Sequence, residues 1–143
     1  MIEGSYARVG VVIPTSAQGN LIRNNGASGG IYVSRSSGAR IGANTISDNA
    51  GPGVQVDGAS HAVVSANLID GNGSHGVAVT QNSSVWLGGD LGILAEPNDT
   101  AVRNHGAGIS CSLNSSVVGR LATLTGTAGA RDFDRSCADG SSP

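Results

Sequence analysis

The chain has 143 residues, 23 of them glycine, with a formal net charge of −2 and aromatic residues at only 3 %. This composition excludes a helical bundle, which needs long glycine-free runs of leucine, alanine, glutamate and lysine. No apolar stretch approaches the roughly 18 residues of a membrane helix, and the net charge offers no general attraction for a polyanion. We therefore expect neither a membrane nor a nucleic acid as partner.

The first predicted segment, residues 1–19, is a partial coil. Ser5–Gly10 resembles the second half of a repeat, and Val11–Gly19 is either an insertion or an N-terminal cap. The start of the chain lacks the basic head and apolar core of a signal peptide. An uncapped first coil exposes strand edges, so the sequence also predicts a homo-oligomer through this end.

Residues 20–121 contain a repeat built from three short phrases. The phrase Gly-Ile/Val-x-Val begins at residues 30, 53 and 76 and, ending in cysteine, at 108. The phrase Asn-x-Ile-x-x-Asn precedes the first phrase in each repeat and begins at residues 20, 44 and 67. A fourth, degenerate copy consists of Asp99, Ala101 and Asn104. A third apolar phrase starts at residues 39, 62, 85 and 117. Three strands per repeat, separated by Gly/Asn/Ser corners, predict one coil of a solenoid.

Alternation within each strand predicts which side chains face inward. Stacked coils place these side chains in columns about 4.8 Å apart. The predicted columns are Ile31/Val54/Val77/Ile109, Val33/Val56/Val79/Cys111, Ala39/Ala62/Val85/Val117, Ile41/Val64/Leu87 and Ile22/Ile46/Ile69/Ala101.

The Asn-x-Ile-x-x-Asn…Gly-Val-x-Val pattern resembles the right-handed parallel β-helix repeat of the pectate-lyase-like superfamily. The resemblance is strong over residues 20–87 and weaker over residues 3–10 and 99–121. It implies an all-β fold, a single domain that forms a parallel β-helix of about five coils of about 23 residues. Asparagine tolerates left-handed backbone, and its amides can hydrogen-bond along the stack. The repeated asparagines are therefore interpreted as structural ladders: Asn44 and Asn67 at one corner, and Asn49, Asn72 and Asn104 at another.

Residues 122–143 lose the repeat and are predicted to form a C-terminal cap. Cys111 occupies an inward column, and Cys137 follows 26 residues later. We predict a disulfide between them that ties the tail over the end of the stack, with Phe133 filling the end of the core. A disulfide implies an extracytoplasmic or secreted protein, whereas two buried free thiols in a cytosolic protein are the alternative.

A second insertion, Gly89–Asn98, leaves the same corner of the solenoid as Val11–Gly19. Loops inserted on one side of a solenoid are common binding elements. Three carboxylates at this insertion, Asp90, Glu96 and Asp99, form a weak Ca²⁺ candidate, since Ca²⁺ favours oxygen ligands on loops. No other metal or cofactor is expected. His61, His75 and His105 lie at or beside corners without an identifiable third metal ligand.

Trp86 is predicted to face outward in a column with Arg40, Val63 and Val118. An exposed tryptophan can stack on a sugar ring or anchor a protein interface, unless the insertion folds back and covers it. Asp48 and Asp70 are predicted neighbours on successive coils, with Arg23 one coil earlier; solvated surface charge is the alternative. The ligand-binding candidates are Trp86, Arg40, Asp70 and Asp48.

The resemblance also implies polysaccharide chemistry, which needs specific motifs. The chain has no Arg-x-Pro-x-x-Arg, no Asp-Asp pair and no Asp-Pro-His, and its candidate carboxylates Asp57 and Asp70 are predicted on different faces. These observations favour a non-catalytic module that binds carbohydrate or a protein through the face around Trp86. The alternatives are a polysaccharide lyase, hydrolase or epimerase, or a fragment of one, and a structural spacer of a longer extracellular protein.

Overall fold

The computed structural model describes residues 2–13, 16–88 and 96–143. Its strands are short, as expected for a chain in which glycine, asparagine and serine recur between pairs of β-branched residues. In chain order they are β1 Ile2–Glu3, β2 Tyr6–Val9, β3 Val11–Ile13, β4 Ser16–Gln18, β5 Leu21–Arg23, β6 Ile31–Ser34, β7 Gly38–Gly42, β8 Thr45–Ser47, β9 Val54–Val56, β10 His61–Ser65, β11 Leu68–Asp70, β12 Val77–Val79, β13 Ser84–Leu87, β14 Ile109–Cys111, β15 Ser116–Arg120, β16 Arg131–Phe133 and β17 Ala138–Ser142.

Parallel pairing arranges these strands into the three sides of a solenoid. Sheet 1 has the order β1-β6-β9-β12-β14-β16, and sheet 2 has the order β17-β15-β13-β10-β7-β2. Sheet 3 is shorter, with the order β11-β8-β5. Each turn of the chain visits the sheets in the order 1, 2, 3, and the stack makes about five turns. The predicted right-handed parallel β-helix is confirmed.

The core is a narrow apolar column inside the three sheets. Its members are the predicted inward residues of sheets 1 and 2, together with Ile46 and Ile69 of sheet 3, and all of these are buried. Ala107, Leu121 and Leu124 join the buried set without having been predicted. Small branched side chains dominate because the space between sheets of a thin solenoid leaves little room for aromatics.

Two asparagine ladders run along the corners on either side of sheet 3. The first contains Asn20, Asn44, Asn67 and Asn98, and the second Asn25, Asn49, Asn72 and Asn104. In each rung the amide Nδ2 donates to the Oδ1 of the asparagine one coil further on, at 2.8–3.0 Å. The same Oδ1 also accepts a backbone N–H, for example from Asn49 to Asn72 at 3.2 Å. The ladders therefore satisfy polar groups that the corners would otherwise bury without partners.

The ladder asparagines do not adopt left-handed backbone. Tolerance of that conformation, one of the two reasons for expecting asparagine at these corners, is therefore not used. At five of the eight ladder positions the left-handed residue is the one before the asparagine, as in Ala43 with φ 61°, Asp48 with φ 53° and Ala66 with φ 55°. Asparagine is used at these corners for its amide hydrogen bonds, and the sharp bend is made by its neighbour.

A serine ladder, which the sequence analysis missed, lines the corner between sheets 1 and 2. Ser37, Ser60, Ser83 and Ser115 are buried, and each of the first three donates its backbone N–H to the hydroxyl of the next at 3.1–3.2 Å. Their spacings of 23, 23 and 32 residues were the available signal, hidden because serine is common throughout the chain.

Both insertions leave the corner between sheets 2 and 3. The first contains an antiparallel hairpin of β3 and β4. The second lengthens the spacing from Asn67 to Asn98 to 31 residues, and one further residue is added before Asn104. Asn98 therefore occupies the ladder position for which the sequence analysis chose Asp99. Ala101 was predicted to face inward and is exposed, because this extra residue shifts the register of the fourth coil.

The C-terminal segment 122–143 caps the stack by forming one more coil. Strand β16 extends sheet 1 and β17 extends sheet 2, both parallel to their neighbours. Arg131 occupies the inward register position beside Ile109, and its guanidinium donates to Ser141 at 3.0 and 3.1 Å and lies 3.5 Å from Asp139. Phe133 packs against the end of the core, as predicted. The inward guanidinium of Arg131 is tolerated here because it is exposed and engaged by these partners.

The predicted disulfide between Cys111 and Cys137 is present, with a Cα–Cα distance of 5.8 Å. It connects the buried inward column of sheet 1 to the turn between β16 and β17. The last coil is thus covalently joined to the one beneath it.

Candidate functional site

The outward side chains of sheet 2 form the most chemically distinctive surface of the described residues. Parallel register aligns one column through Arg8, Arg40, Val63, Trp86 and Val118. A second column passes through Tyr6, Gly38 and His61. We call this surface the arginine face and define it by Tyr6, Arg8, Arg40, His61, Val63, Trp86, Val118 and Arg120.

Trp86 lies near the middle of the arginine face, and its outward orientation agrees with the alternation of β13. It is 37 % exposed, and Val118 beside it is 40 % exposed. Val63 is the neighbour on the other side and is half-buried. The indole is therefore held in an apolar stripe that runs along the solenoid axis with part of its surface open to solvent.

Arginines lie on both sides of Trp86 along this axis. Arg40 is two strands away, or about 10 Å, and Arg8 is three strands away, or about 14 Å. Arg120 extends outward from β15, the next strand in the opposite direction. The strands of sheet 2 contain a single carboxylate, Asp139, which occupies an inward register position beside Val117. The charge of the arginine face is consequently positive, although the chain as a whole is negative.

Tyr6 and His61 cover a glycine at the N-terminal side of the arginine face. Their ring centroids are 6.5 Å apart, and a Cβ at Gly38 would lie 2.6 Å from the His61 ring and 2.8 Å from Tyr6. Any larger residue at position 38 would have to displace one of the two rings. The pair adds a fixed aromatic surface next to Arg8 and Arg40.

The carboxylates Asp48 and Asp70 lie on a different side of the solenoid. Asp70 ends β11 of sheet 3 and follows Ser47 and Arg23 in one column, while Asp48 follows β8. The Oδ1 of Asp70 accepts the backbone N–H groups of Ala101 and Val102 at 2.8 and 3.1 Å. Asp70 thus orders the exposed loop of the next coil, and neither carboxylate shares the face of Trp86 and Arg40.

The sequence analysis missed a polar cluster on the outer face of sheet 1. Asp57 is 8 % exposed, and its Oδ2 accepts the Tyr32 hydroxyl at 2.5 Å and the Gln55 amide at 3.3 Å. The hydrogen bond to Asp57, together with burial, raises the pKa of Tyr32 above its usual value of 10.0. The phenol is therefore held in its protonated form. As predicted, Asp57 and Asp70 belong to different sides of the stack.

A shallow pocket of about 400 Å³ lies at the corner between sheets 2 and 3. Its lining includes Asn67, Leu68, Glu96 and Asp99. Asp90, the third Ca²⁺ candidate, lies outside the described residues. Asp99 accepts the Thr123 hydroxyl at 2.8 Å, which ties its carboxylate to the next coil.

The histidines at the corners have separate environments. His75 is half-buried, and its Nδ1 accepts the backbone N–H of Ala107 at 3.0 Å. Burial lowers the pKa of His75, against an opposing effect of the Asp132 charge. His105 is exposed. Within residues 2–13, 16–88 and 96–143, no three His, Cys, Asp or Glu side chains form a group that could hold a metal ion.

The family model for the right handed beta helix region matches residues 15–121. No curated protein and no solved structure is significantly similar to the chain. The part of the chain that the structure describes has no helix capable of spanning a lipid bilayer.

Proposed function

This chain belongs to the right-handed β-helix family, and we propose that it is a non-catalytic module that binds an anionic carbohydrate through its arginine face. The observation that supports the proposal is the exposed Trp86 on the outer surface of sheet 2, whose described strands carry Arg8, Arg40 and Arg120 and no outward carboxylate. The proposal is for an extracytoplasmic setting, with which the Cys111–Cys137 disulfide is consistent.

The apolar stripe fits the less polar face of a sugar ring. An indole combines a large flat apolar surface with an N–H that can hydrogen-bond at its edge, which suits a ligand that is apolar on its faces and polar around its rim. Val63 and Val118 lie on the two neighbouring strands and widen this surface along the axis. A sugar chain lying along the axis would contact all three.

The arginines supply the selectivity for negative charge. A guanidinium donates two parallel hydrogen bonds to a carboxylate or sulfate, and such charge-assisted bonds are stronger than neutral ones. The distance of about 14 Å from Trp86 to Arg8 means that a ligand engaging both must extend over three coil spacings. A polymer or oligosaccharide meets this requirement, and a single sugar does not.

The scaffold favours binding because it is already ordered. The contact residues are on strands whose corners are fixed by asparagine and serine hydrogen bonds from coil to coil. Side chains presented by such strands lose little further freedom when a ligand binds.

The test is titration calorimetry with acidic and neutral polysaccharides, together with an assay for unsaturated or shortened products. We expect binding of the acidic polymers without turnover and weakening with added salt. Trp86→Ala should weaken binding by about tenfold or more, which corresponds to about 1.4 kcal/mol. Arg40→Ala should weaken the binding of acidic polysaccharides more than the binding of neutral ones.

Matched controls are available on sheet 3. Leu21 is 60 % exposed and Arg23 is exposed, so Leu21→Ala and Arg23→Ala remove similar side chains from another side of the stack. Equal affinities of the Trp86 and Leu21 variants would contradict the proposed surface. Turnover would instead support the enzyme predicted as an alternative. If no polysaccharide bound, the carbohydrate proposal would be wrong, and a protein-binding module or a structural spacer would be the predictions that remain.

A further inference from the structure

We infer that Asn25 is a site of spontaneous deamidation, and that the otherwise identical Asn72–Gly73 dipeptide is protected by the fold. These are the two Asn-Gly sequences in the chain. Asn-Gly is the dipeptide most open to this reaction, because glycine has no Cβ to obstruct approach of its backbone nitrogen. The inference concerns the ladder and is independent of what the arginine face binds.

The reaction is an internal acyl transfer followed by hydrolysis. The backbone nitrogen of Gly26 gives up its proton to solvent base and attacks Cγ of Asn25. The new N–Cγ bond closes a five-membered succinimide, and the Cγ–Nδ2 bond breaks so that the amide nitrogen leaves as ammonia. Water then opens either carbonyl of the ring and leaves aspartate or isoaspartate at position 25.

At Asn72 both reacting groups are held. Asn72 is 0 % exposed, its Oδ1 accepts two hydrogen bonds from Asn49, and its Nδ2 donates to Ile46 and Asn104. The attacking nitrogen is engaged as well, since Gly73 donates its N–H to the Asn49 carbonyl at 2.7 Å. A Cβ at Gly73 would lie 2.5 Å from the Ala50 carbonyl oxygen, which shows how closely the backbone is packed.

At Asn25 these restraints are weaker. Asn25 and Gly26 are exposed, and a Cβ at Gly26 would have no heavy atom within 4 Å. The amide Nδ2 of Asn25 donates to Asn49 at 2.8 Å and to the Arg23 carbonyl at 3.3 Å. In the later coils the residue after the ladder asparagine donates to the preceding coil, as in Ala50 to Asn25 at 2.8 Å. Among the described residues, no preceding coil offers Gly26 the equivalent acceptor.

Deamidation would alter the first rung of the second asparagine ladder, which joins Asn25 to Asn49. The Nδ2 that donates to Asn49 would be replaced by a carboxylate oxygen facing the Asn49 Oδ1. The first coil should then loosen while the rungs from Asn49 to Asn104 stay intact.

The test follows both sites in one sample. The full chain is incubated folded in mildly alkaline buffer containing ¹⁸O water and then digested with trypsin. Cleavage after arginine places Asn25 in peptide 24–35 and Asn72 in peptide 41–103, and mass spectrometry scores label at each. We expect Asn25 to react at least about tenfold faster than Asn72 in the folded chain, and at a similar rate after reduction and denaturation.

Gly26→Ala is the matched variant, since the open space at Gly26 accepts a methyl group and its φ is not positive. It should slow the reaction at Asn25 and leave the thermal unfolding midpoint unchanged. Similar labelling rates at the two sites, label at neither, or faster labelling at Asn72 in the folded chain would overturn the inference. An unchanged rate in Gly26→Ala would overturn the succinimide route.

Discussion

Replacement of Asn72 by alanine tests whether the asparagine ladder stabilises the stack. Asn72 is 0 % exposed and links three consecutive coils through its side chain. In the alanine variant, the backbone N–H of Asn49 and one N–H of its amide lose their acceptor. The Ile46 carbonyl loses the donor that lies at 3.1 Å. Two buried donors and one buried acceptor are therefore deprived of these partners by a single substitution.

The magnitude follows from the cost of leaving buried polar groups without partners. Each such group costs about 1–3 kcal/mol, so three groups should lower the free energy of unfolding by about 3 kcal/mol or more. For a chain of this size that corresponds to a fall of about 10 °C in the unfolding midpoint. Water cannot readily replace the lost amide, because the site is closed on all sides.

The assay is urea unfolding followed by circular dichroism, with the disulfide intact and the dependence on urea compared between variants. Asn82→Gly is the matched control, because φ is 59° at this residue and glycine removes the side chain without adding left-handed strain. Asn82 is exposed, and its side chain accepts one hydrogen bond, from Asn114 at 2.7 Å. We expect this control to change the unfolding free energy by less than about 0.5 kcal/mol. Equal losses in the two variants would refute the reasoning.

Three further predictions concern the corners and the last coil. Burial lowers the pKa of His75 in the folded chain. The neutral imidazole therefore contributes fully to the free energy of unfolding above the ordinary pKa of about 6.5, and this contribution is lost as the pH falls below that value. His75→Gln should therefore flatten the decline in urea stability between neutral and mildly acidic pH, and an unchanged slope would contradict this assignment. Replacing Cys111 and Cys137 by alanine opens a connection spanning 26 residues and should lower stability by about 3.5 kcal/mol, measured by calorimetry against the oxidised wild type. Ala43→Gly should raise the thermal midpoint slightly, since φ is 61° there and removal of Cβ relieves left-handed strain; a clear fall would show that backbone entropy dominates.

Much of the scaffold could be predicted from the sequence because its signals are local. Alternation identified the inward columns of sheets 1 and 2, and the 23-residue spacing aligned Asn44 with Asn67 and Asn49 with Asn72. The disulfide was predictable because Cys111 replaced a valine in a buried column. Serine was too frequent in the chain for its ladder to be recognised.

The candidate site was less accessible to sequence reasoning. The outward direction of Trp86 and Arg40 follows from strand alternation, and the structure places both on the arginine face. The positive charge around Trp86 and Arg40 depends on arginines from other strands of sheet 2, such as Arg120, which are brought together only by the stacking of the coils. The Tyr32–Asp57 contact joins neighbouring coils at 2.5 Å and has no signature in either segment alone.

The architecture follows from the order of the residues alone, because a fixed period and small β-branched residues are compatible with stacked coils around a thin core. The places where that period is interrupted, and the way the stack is closed at residues 122–143, became visible in the folded structure. That structure assigned Asn98 to the ladder, since hydrogen bonding across coils, not residue counting, selects the register after an insertion. It also formed residues 122–143 into a final coil, because strand edges can pair even where the inward side chains are Arg131 and Asp139.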